Sequence, residues 1–137
     1  MPKKQLTTLL YWTALAAAIL YFAYFKGWIL ADFESITPQQ ARELLQQDDN
    51  VTLLDVRTPE EFAQEHIEGA TLIPVQVLGE NLSKLANVKG KQIIVYCRSG
   101  GRSVAASRIL TENGFVVLNV KGGIGGWKDE GYPIVTP

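Results

Sequence analysis

A run of apolar residues near the N-terminus constrains the fold more than any other feature. None of the twenty side chains from Leu6 to Phe25 is charged. As an α-helix, about 20 residues rise roughly 30 Å, the thickness of the hydrocarbon core of a bilayer. Aromatic residues that suit the two membrane interfaces lie near the ends of the run: Tyr11, Trp12, Tyr21, Tyr24 and Trp28. The run therefore predicts a transmembrane helix over residues 6–25, within an anchor of residues 1–26.

Two other interpretations of this run stay open. A secretory signal peptide also has lysines at its flank, and Ala14-Leu15-Ala16 resembles an A-x-A cleavage site. Cleavage there would leave an apolar stretch ending at Phe25 at the new N-terminus, so we favour an uncleaved anchor. A buried helix of a soluble protein is the third interpretation.

The charges are unevenly distributed along the chain. Lys3, Lys4 and Lys26 are the only charged side chains in residues 1–26, whereas residues 27–137 carry ten Lys and Arg against fourteen Asp and Glu. Because more positive charge precedes the run than follows it, the positive-inside rule favours a cytoplasmic N-terminus. The C-terminal domain is then expected on the extracytoplasmic, periplasmic side. The net charge of −1 argues against a nucleic-acid-binding protein.

The cysteine and histidine counts limit the chemistry. One Cys excludes an intramolecular disulfide framework and Cys₄ or Cys₂His₂ zinc sites, and one His leaves no His pair for a metal. We therefore expect neither a bound metal nor another cofactor. The 137 residues suffice for one domain of ordinary size.

The rest of the chain alternates between strand and helix patterns. Capping boxes start helices at Thr37-Pro38 and Thr58-Pro59. Apolar strand-like runs cover residues 51–56, 72–75, 93–96 and 115–120, and helical patterns cover 78–88 and 103–113. This alternation predicts an α/β fold with a parallel sheet covered on both faces. We place the domain at residues 34–137, after a short linker of residues 27–33.

The single cysteine lies in a loop between the strongest strand and a helix. Cys97 ends the strand and is followed by Arg98, Ser99, Gly100, Gly101, Arg102 and Ser103. The glycines allow backbone amides to turn inward, and the helix N-terminus adds free amides and a positive dipole end. Together with two arginines, these features favour a negative charge at the thiol, and the thiolate is the nucleophilic form. A buried structural cysteine beside solvated arginines is the alternative.

Four motifs, in this order, resemble the rhodanese family over residues 34–137. They are Leu54–Arg57 followed by Thr58–Phe62, then His66–Ala70 with Ile73-Pro74, then Val95–Ser103, and finally Gly122–Trp127. The resemblance implies a three-layer fold with a central, mostly parallel sheet flanked by helices. It also implies transfer of sulfane sulfur from a donor such as thiosulfate to a thiol or to cyanide. In this interpretation Cys97 carries the sulfur as a persulfide.

The resemblance assigns expected roles to the loop. Backbone amides from Arg98 to Ser103 would surround the sulfane sulfur, and the guanidinium groups of Arg98 and Arg102 would bind the donor's sulfonate oxygens. Asp55 is expected to hydrogen-bond the loop backbone, and Arg57 to pair with an acid or line the entrance. An ion pair of this kind more often only stabilises the fold. Trp127 is expected in the core, beside a glycine turn at residues 122–126.

Alternative functions are a binding module without catalytic activity, a redox sensor that uses an external thiol, and a phosphatase or arsenate reductase. The loop from Cys97 to Arg102 has six residues, whereas the related phosphatases have one more, so sulfur chemistry is favoured. Two positions depart from the pattern of some thiosulfate enzymes, since Ser99 and Glu61 stand where those enzymes carry basic residues. Both departures weaken the case for thiosulfate as the physiological donor.

Overall fold

The computed structural model describes residues 1–29 and 32–137. The chain forms two compact units, Met1–Ala31 and Asp32–Pro137. The predicted linker, residues 27–33, includes Leu30 and Ala31, which lie outside the described residues. The predicted domain bounds therefore stay a prediction.

The N-terminal unit contains one long helix, α1, over Lys3–Phe25. None of its residues is buried. Among the described residues it is the one helix long and apolar enough to cross a membrane. Length and composition of this kind also suit a signal sequence.

The second unit contains a five-stranded sheet in the order β1-β5-β4-β2-β3, with every neighbouring pair parallel. Its strands are β1 (Glu34–Ile36), β2 (Thr52–Asp55), β3 (Thr71–Leu72), β4 (Gln92–Tyr96) and β5 (Val116–Val120). The apolar runs of β4 and β5 occupy the interior of the sheet because parallel strands are buried on both faces. The predicted α/β class is confirmed.

Helices cover both faces of this sheet. They are α2 (Pro38–Gln47), α3 (Pro59–Gln64), α4 (Val75–Leu78), α5 (Gly101–Glu112) and α6 (Gly123–Asp129), with a 3₁₀ helix over Leu82–Val88. Both predicted capping boxes form, at Thr37 and at Thr58. Each threonine accepts from the amide three residues later, which satisfies a donor that the helix itself leaves free.

Alternation along the strands divides the apolar side chains into two cores. Leu54 and Val95 pack on one face with α4, α5 and the 3₁₀ helix. Leu53 and Ile94 pack on the other face, with Trp127 of α6 and residues of α2. Trp127 is buried, as predicted. The result is a three-layer domain whose central strand, β4, leads directly into Cys97.

Two local predictions differ from the structure in detail, and one strand was not predicted. Residues 78–88 do not form one helix, because α4 ends at Leu78 and Asn81 Nδ2 caps the carbonyl of Val77 before the 3₁₀ helix begins. The expected glycine turn is present at Gly122, which has a left-handed φ, but the rest of segment 122–126 belongs to α6. Strand β1 lies at the edge of the sheet and was not predicted, since three residues are too few to show a period.

Truncation in the central strand tests this packing. Val95 is fully buried, whereas Val116 on β5 is about half exposed. We expect Val95→Ala to lower the free energy of unfolding by roughly 2 kcal/mol or more, from lost burial and a residual cavity. The same change at Val116 is the control and should cost well under 1 kcal/mol. Urea unfolding of the full-length protein, followed by circular dichroism, measures both. Equal losses would contradict the assignment of β4 as the central strand.

Candidate active site

The loop after β4 places a backbone donor at the sulfur of Cys97. Cys97 is 1% exposed, and the amide of Gly100 donates to its Sγ at 3.1 Å. Gly100 has φ of +116°, a conformation that other residues rarely adopt, and α5 begins at the next residue. The glycine therefore turns the chain so that an amide points back at the sulfur.

The N-terminus of α5 faces the same loop. The amides of Gly101, Arg102 and Ser103 belong to its first turn and have no acceptor within the helix. The positive end of the helix dipole lies there as well. Ser103 is buried, and its Oγ donates to the carbonyl of Gly100 and lies 3.5 Å from Cys97 Sγ. The sulfur therefore lies beside backbone donors and the positive end of a helix dipole.

Helix α6 holds the loop from behind. The amide of Ile124 donates to the carbonyl of Cys97 at 2.8 Å, and the amide of Gly125 donates to the carbonyl of Arg98 at 3.1 Å. Gly123 has φ of +58°, and a Cβ placed there would overlap the carbonyl oxygen of Cys97. With its carbonyls bound from behind, the loop presents its amides to the sulfur. Sequence reasoning noticed these glycines but missed their hydrogen bonds to the loop.

The two arginines of the loop differ in their surroundings. Arg102 forms a two-point ion pair with Glu61 of α3, at 2.6 Å and 2.9 Å. The hydrogen bond from Arg102 lowers the pKa of Glu61 to about 2, so this carboxylate is ionised at any ordinary pH. The same hydrogen bond raises the pKa of Arg102. Arg98 and Ser99, by contrast, are exposed to solvent.

Asp55 and Arg57 form a buried ion pair at the end of β2. Arg57 donates from its amide, Nε and Nη2 to the carboxylate of Asp55, at 2.7–3.1 Å, and from Nη2 to the carbonyl of Glu65. Burial opposes the charge of Arg57, but the contacts with Asp55 raise its pKa above the ordinary value. Arg57 binds the carboxylate of Asp55, and the expected hydrogen bond between Asp55 and the Cys97 loop stays a prediction. The expected pairing of Arg57 with an acid is present.

Tyr96, the residue before Cys97, lies against this ion pair, with Arg57 over its ring. Its hydroxyl accepts from the amide of Ile67 at 3.1 Å, and burial raises its pKa, as does the nearby charge of Asp55. The phenol is therefore neutral and acts as a structural link. The carboxyl ends of β2 and β4 are fixed together by this network, which sequence reasoning did not foresee.

A cleft of about 380 Å³ lies beside the loop. Its lining residues come mainly from α3, α6 and the loop: Arg57, Glu61, Gln64, Glu65, Arg98, Ile124, Gly125 and Lys128. Lys128 pairs with Glu65 at 2.6 Å. Among the described residues, no group of three or more His, Cys, Asp or Glu side chains could hold a metal ion.

A parallel α/β domain, a six-residue loop after the central strand, and a buried cysteine whose sulfur accepts from a loop amide define the class of the protein. The chain belongs to the rhodanese family, because residues 37–130 match the family described as Rhodanese-like domain.

Similar proteins include named sulfurtransferases. The chain is 37% identical over 103 residues to a "Sulfurtransferase" of Allochromatium vinosum, covering 74% of this chain and 94% of that protein. It is 37% identical over 82 residues to the "Thiosulfate sulfurtransferase PspE" of Escherichia coli, covering 60% of this chain and 76% of that protein. A rhodanese-related protein from Thermoplasma volcanium has a similar structure, with a TM-score of 0.68 and 35% identity over 75% of this chain and 98% of that one.

The contact between α6 and the loop can be tested at Gly123. We expect Gly123→Ala to lower the free energy of unfolding by at least about 1–2 kcal/mol, because the left-handed conformation disfavours Ala and the new methyl group overlaps the loop. It should also change the rate at which Cys97 is alkylated. Gly79→Ala is the matched control, since Gly79 has negative φ and open space around its Cβ position. If both variants unfold and react alike, α6 does not hold the loop.

Proposed function

We propose that the protein transfers sulfane sulfur through a persulfide on Cys97. The observation that carries this proposal is the thiol of Cys97, buried and bonded to the amide of Gly100 beside the free amides of α5. Sulfur bound to Cys97 would extend toward the same donors, which stabilise a negative charge. The family and the sulfurtransferase names among its relatives support this reaction.

The reaction has two balanced displacements. The thiolate of Cys97 attacks the outer sulfur of a donor such as thiosulfate, a new S–S bond forms, and sulfite leaves with the electron pair of the broken bond. The acceptor, cyanide or a thiolate, then attacks the terminal sulfur of the persulfide. The acceptor leaves with this sulfur as thiocyanate or as an organic persulfide. The electron pair of the broken S–S bond of the persulfide returns to the sulfur of Cys97. The protein is neither oxidised nor reduced over the cycle.

The loop provides the groups that both displacements need. Amides of residues 98–103 would hold the persulfide sulfur, and the exposed guanidinium of Arg98 would meet an anionic donor at the entrance. Asp55 and Arg57 support the site from β2 by fixing the end of the strand. A phosphatase is disfavoured because a six-residue loop encloses less space than the longer loop of the related phosphatases.

Sulfur loading tests the proposed reaction. After incubation of the full-length protein with thiosulfate or cysteine persulfide, the intact mass should increase by one sulfur atom. Cyanide should remove this atom, and Cys97→Ser should not acquire it. Circular dichroism of the variant checks that the fold persists. If neither donor loads a folded wild-type protein, the loop serves binding alone, and the protein is a rhodanese-like module without catalytic activity.

We further propose that α1 anchors the domain to a membrane as an uncleaved helix. Its length, its exposed apolar surface and the flanking lysines support an anchor. By the positive-inside rule the domain would lie on the extracytoplasmic side. Sulfur delivered there would need a local acceptor.

Fractionation of cells that express the full-length chain tests the anchor. The protein should stay with the membranes after alkaline carbonate washing and should keep the mass of all residues from the N-terminus. A variant with Leu10→Arg and Ala17→Arg should be released, since each arginine at the helix centre costs about 2.5–3.5 kcal/mol on insertion scales. A shorter mature protein that begins after Ala16 would show that the segment is a signal peptide.

A further inference from the structure

We propose that Glu61 is a specificity-determining residue, which cancels the charge of Arg102 and thereby selects organic persulfides over the thiosulfate dianion as sulfur donors. This inference rests on the proposed sulfur transfer and names the donor class for the same site. The observation that supports it is the pairing of charged side chains around the cleft beside the loop.

Nearly every positive charge that lines this cleft, or pairs with a residue lining it, already has a carboxylate partner. Arg102 pairs with Glu61, Arg57 with Asp55, and Lys128 with Glu65, each at 2.6–2.7 Å. Among the described residues that line the cleft, Arg98 is the one cation without such a partner. A dianion entering here meets one available guanidinium, and it also meets the ionised carboxylate of Glu61.

The Glu61 carboxylate is held firmly in this position. It accepts from the amide and hydroxyl of Thr58 through the capping box, and from both terminal nitrogens of Arg102. Its low pKa means that the charge persists over the working pH range. Glu61 is less than one-third exposed, so solvent screens it less than a fully exposed charge. The cancellation of the Arg102 charge is therefore a fixed property of the site.

The size of the cleft suits a donor with an organic group. About 380 Å³ is within the range of small-molecule sites and far exceeds what a five-atom anion fills. The lining is mostly polar, and the stem of Lys128 adds a smaller aliphatic part beside Ile124. An organic persulfide carries at most one negative charge on sulfur, which matches the single available cation, Arg98.

Loading from such a donor is a balanced displacement. The Cys97 thiolate attacks the outer sulfur of R–S–S–H, a bond forms between Sγ and that sulfur, and R–S⁻ leaves with the electron pair. The proton remains on the transferred sulfur or passes to the leaving thiolate. No separate oxidant or reductant is needed.

Removing the charge of Glu61 tests the proposal. Glu61→Gln keeps a residue that can complete the capping box, so it changes the charge with little effect on the helix. We expect the second-order rate of sulfur loading from thiosulfate to rise about tenfold, as a freed cation attracts a dianion. The rate from cysteine persulfide should stay within about twofold. The thiosulfate rate of the variant should also fall more steeply with added salt than that of the wild type.

The matched control is Glu60→Gln, which makes the same change in net charge at an exposed neighbour on α3. Intact mass of the full-length protein, measured over time with each donor, gives all the rates. If Glu61→Gln behaves like Glu60→Gln with thiosulfate while Cys97 still acquires sulfur, the specificity role is overturned and the proposed function stands. If Cys97 acquires sulfur from neither donor in any variant, both are overturned.

Discussion

The site depends on two hydrogen bonds that hold the peptide carbonyls of Cys97 and Arg98. Ile124 and Gly125 at the start of α6 donate them, and Gly123 permits the close approach because it has no Cβ. Once the carbonyls are bound from behind, the amides on the other side of the loop can face the sulfur. Without this contact, the loop between β4 and α5 could reorient its peptide groups, and the buried sulfur would lose its donors.

The electrostatics of the loop come mainly from the backbone. Arg102 is engaged by Glu61, and Arg57 by Asp55, so their side chains add little net charge near Cys97. The amide of Gly100 and the first turn of α5 remain as donors close to the sulfur. Backbone dipoles in a buried site need no reorganisation when charge develops, so this arrangement suits a reaction in which sulfur is repeatedly ionised and bonded.

Sequence patterns predicted the elements that depend on local chemistry. Thr37 and Thr58 cap their helices as expected, because a capping box uses residues only three apart. The interior strands β2, β4 and β5 were found because their apolar runs reflect burial on both faces. The pattern failed over residues 78–88. Apolar spacing there suits a single helix, but α4 ends at Leu78, and Asn81 caps the carbonyl of Val77 before the 3₁₀ helix begins. It also failed at β1, which is too short for any period to appear.

The sequence alone determined the α/β class, the place of Cys97 between a strand and a helix, and the apolar character of α1. These follow from composition and from spacing along the chain, which tertiary contacts do not alter. Only the tertiary structure decided that Glu61 meets Arg102, residues that are 41 positions apart. The partner of a charged side chain depends on which elements the fold brings together, and the spacing of residues along the chain does not determine which elements meet.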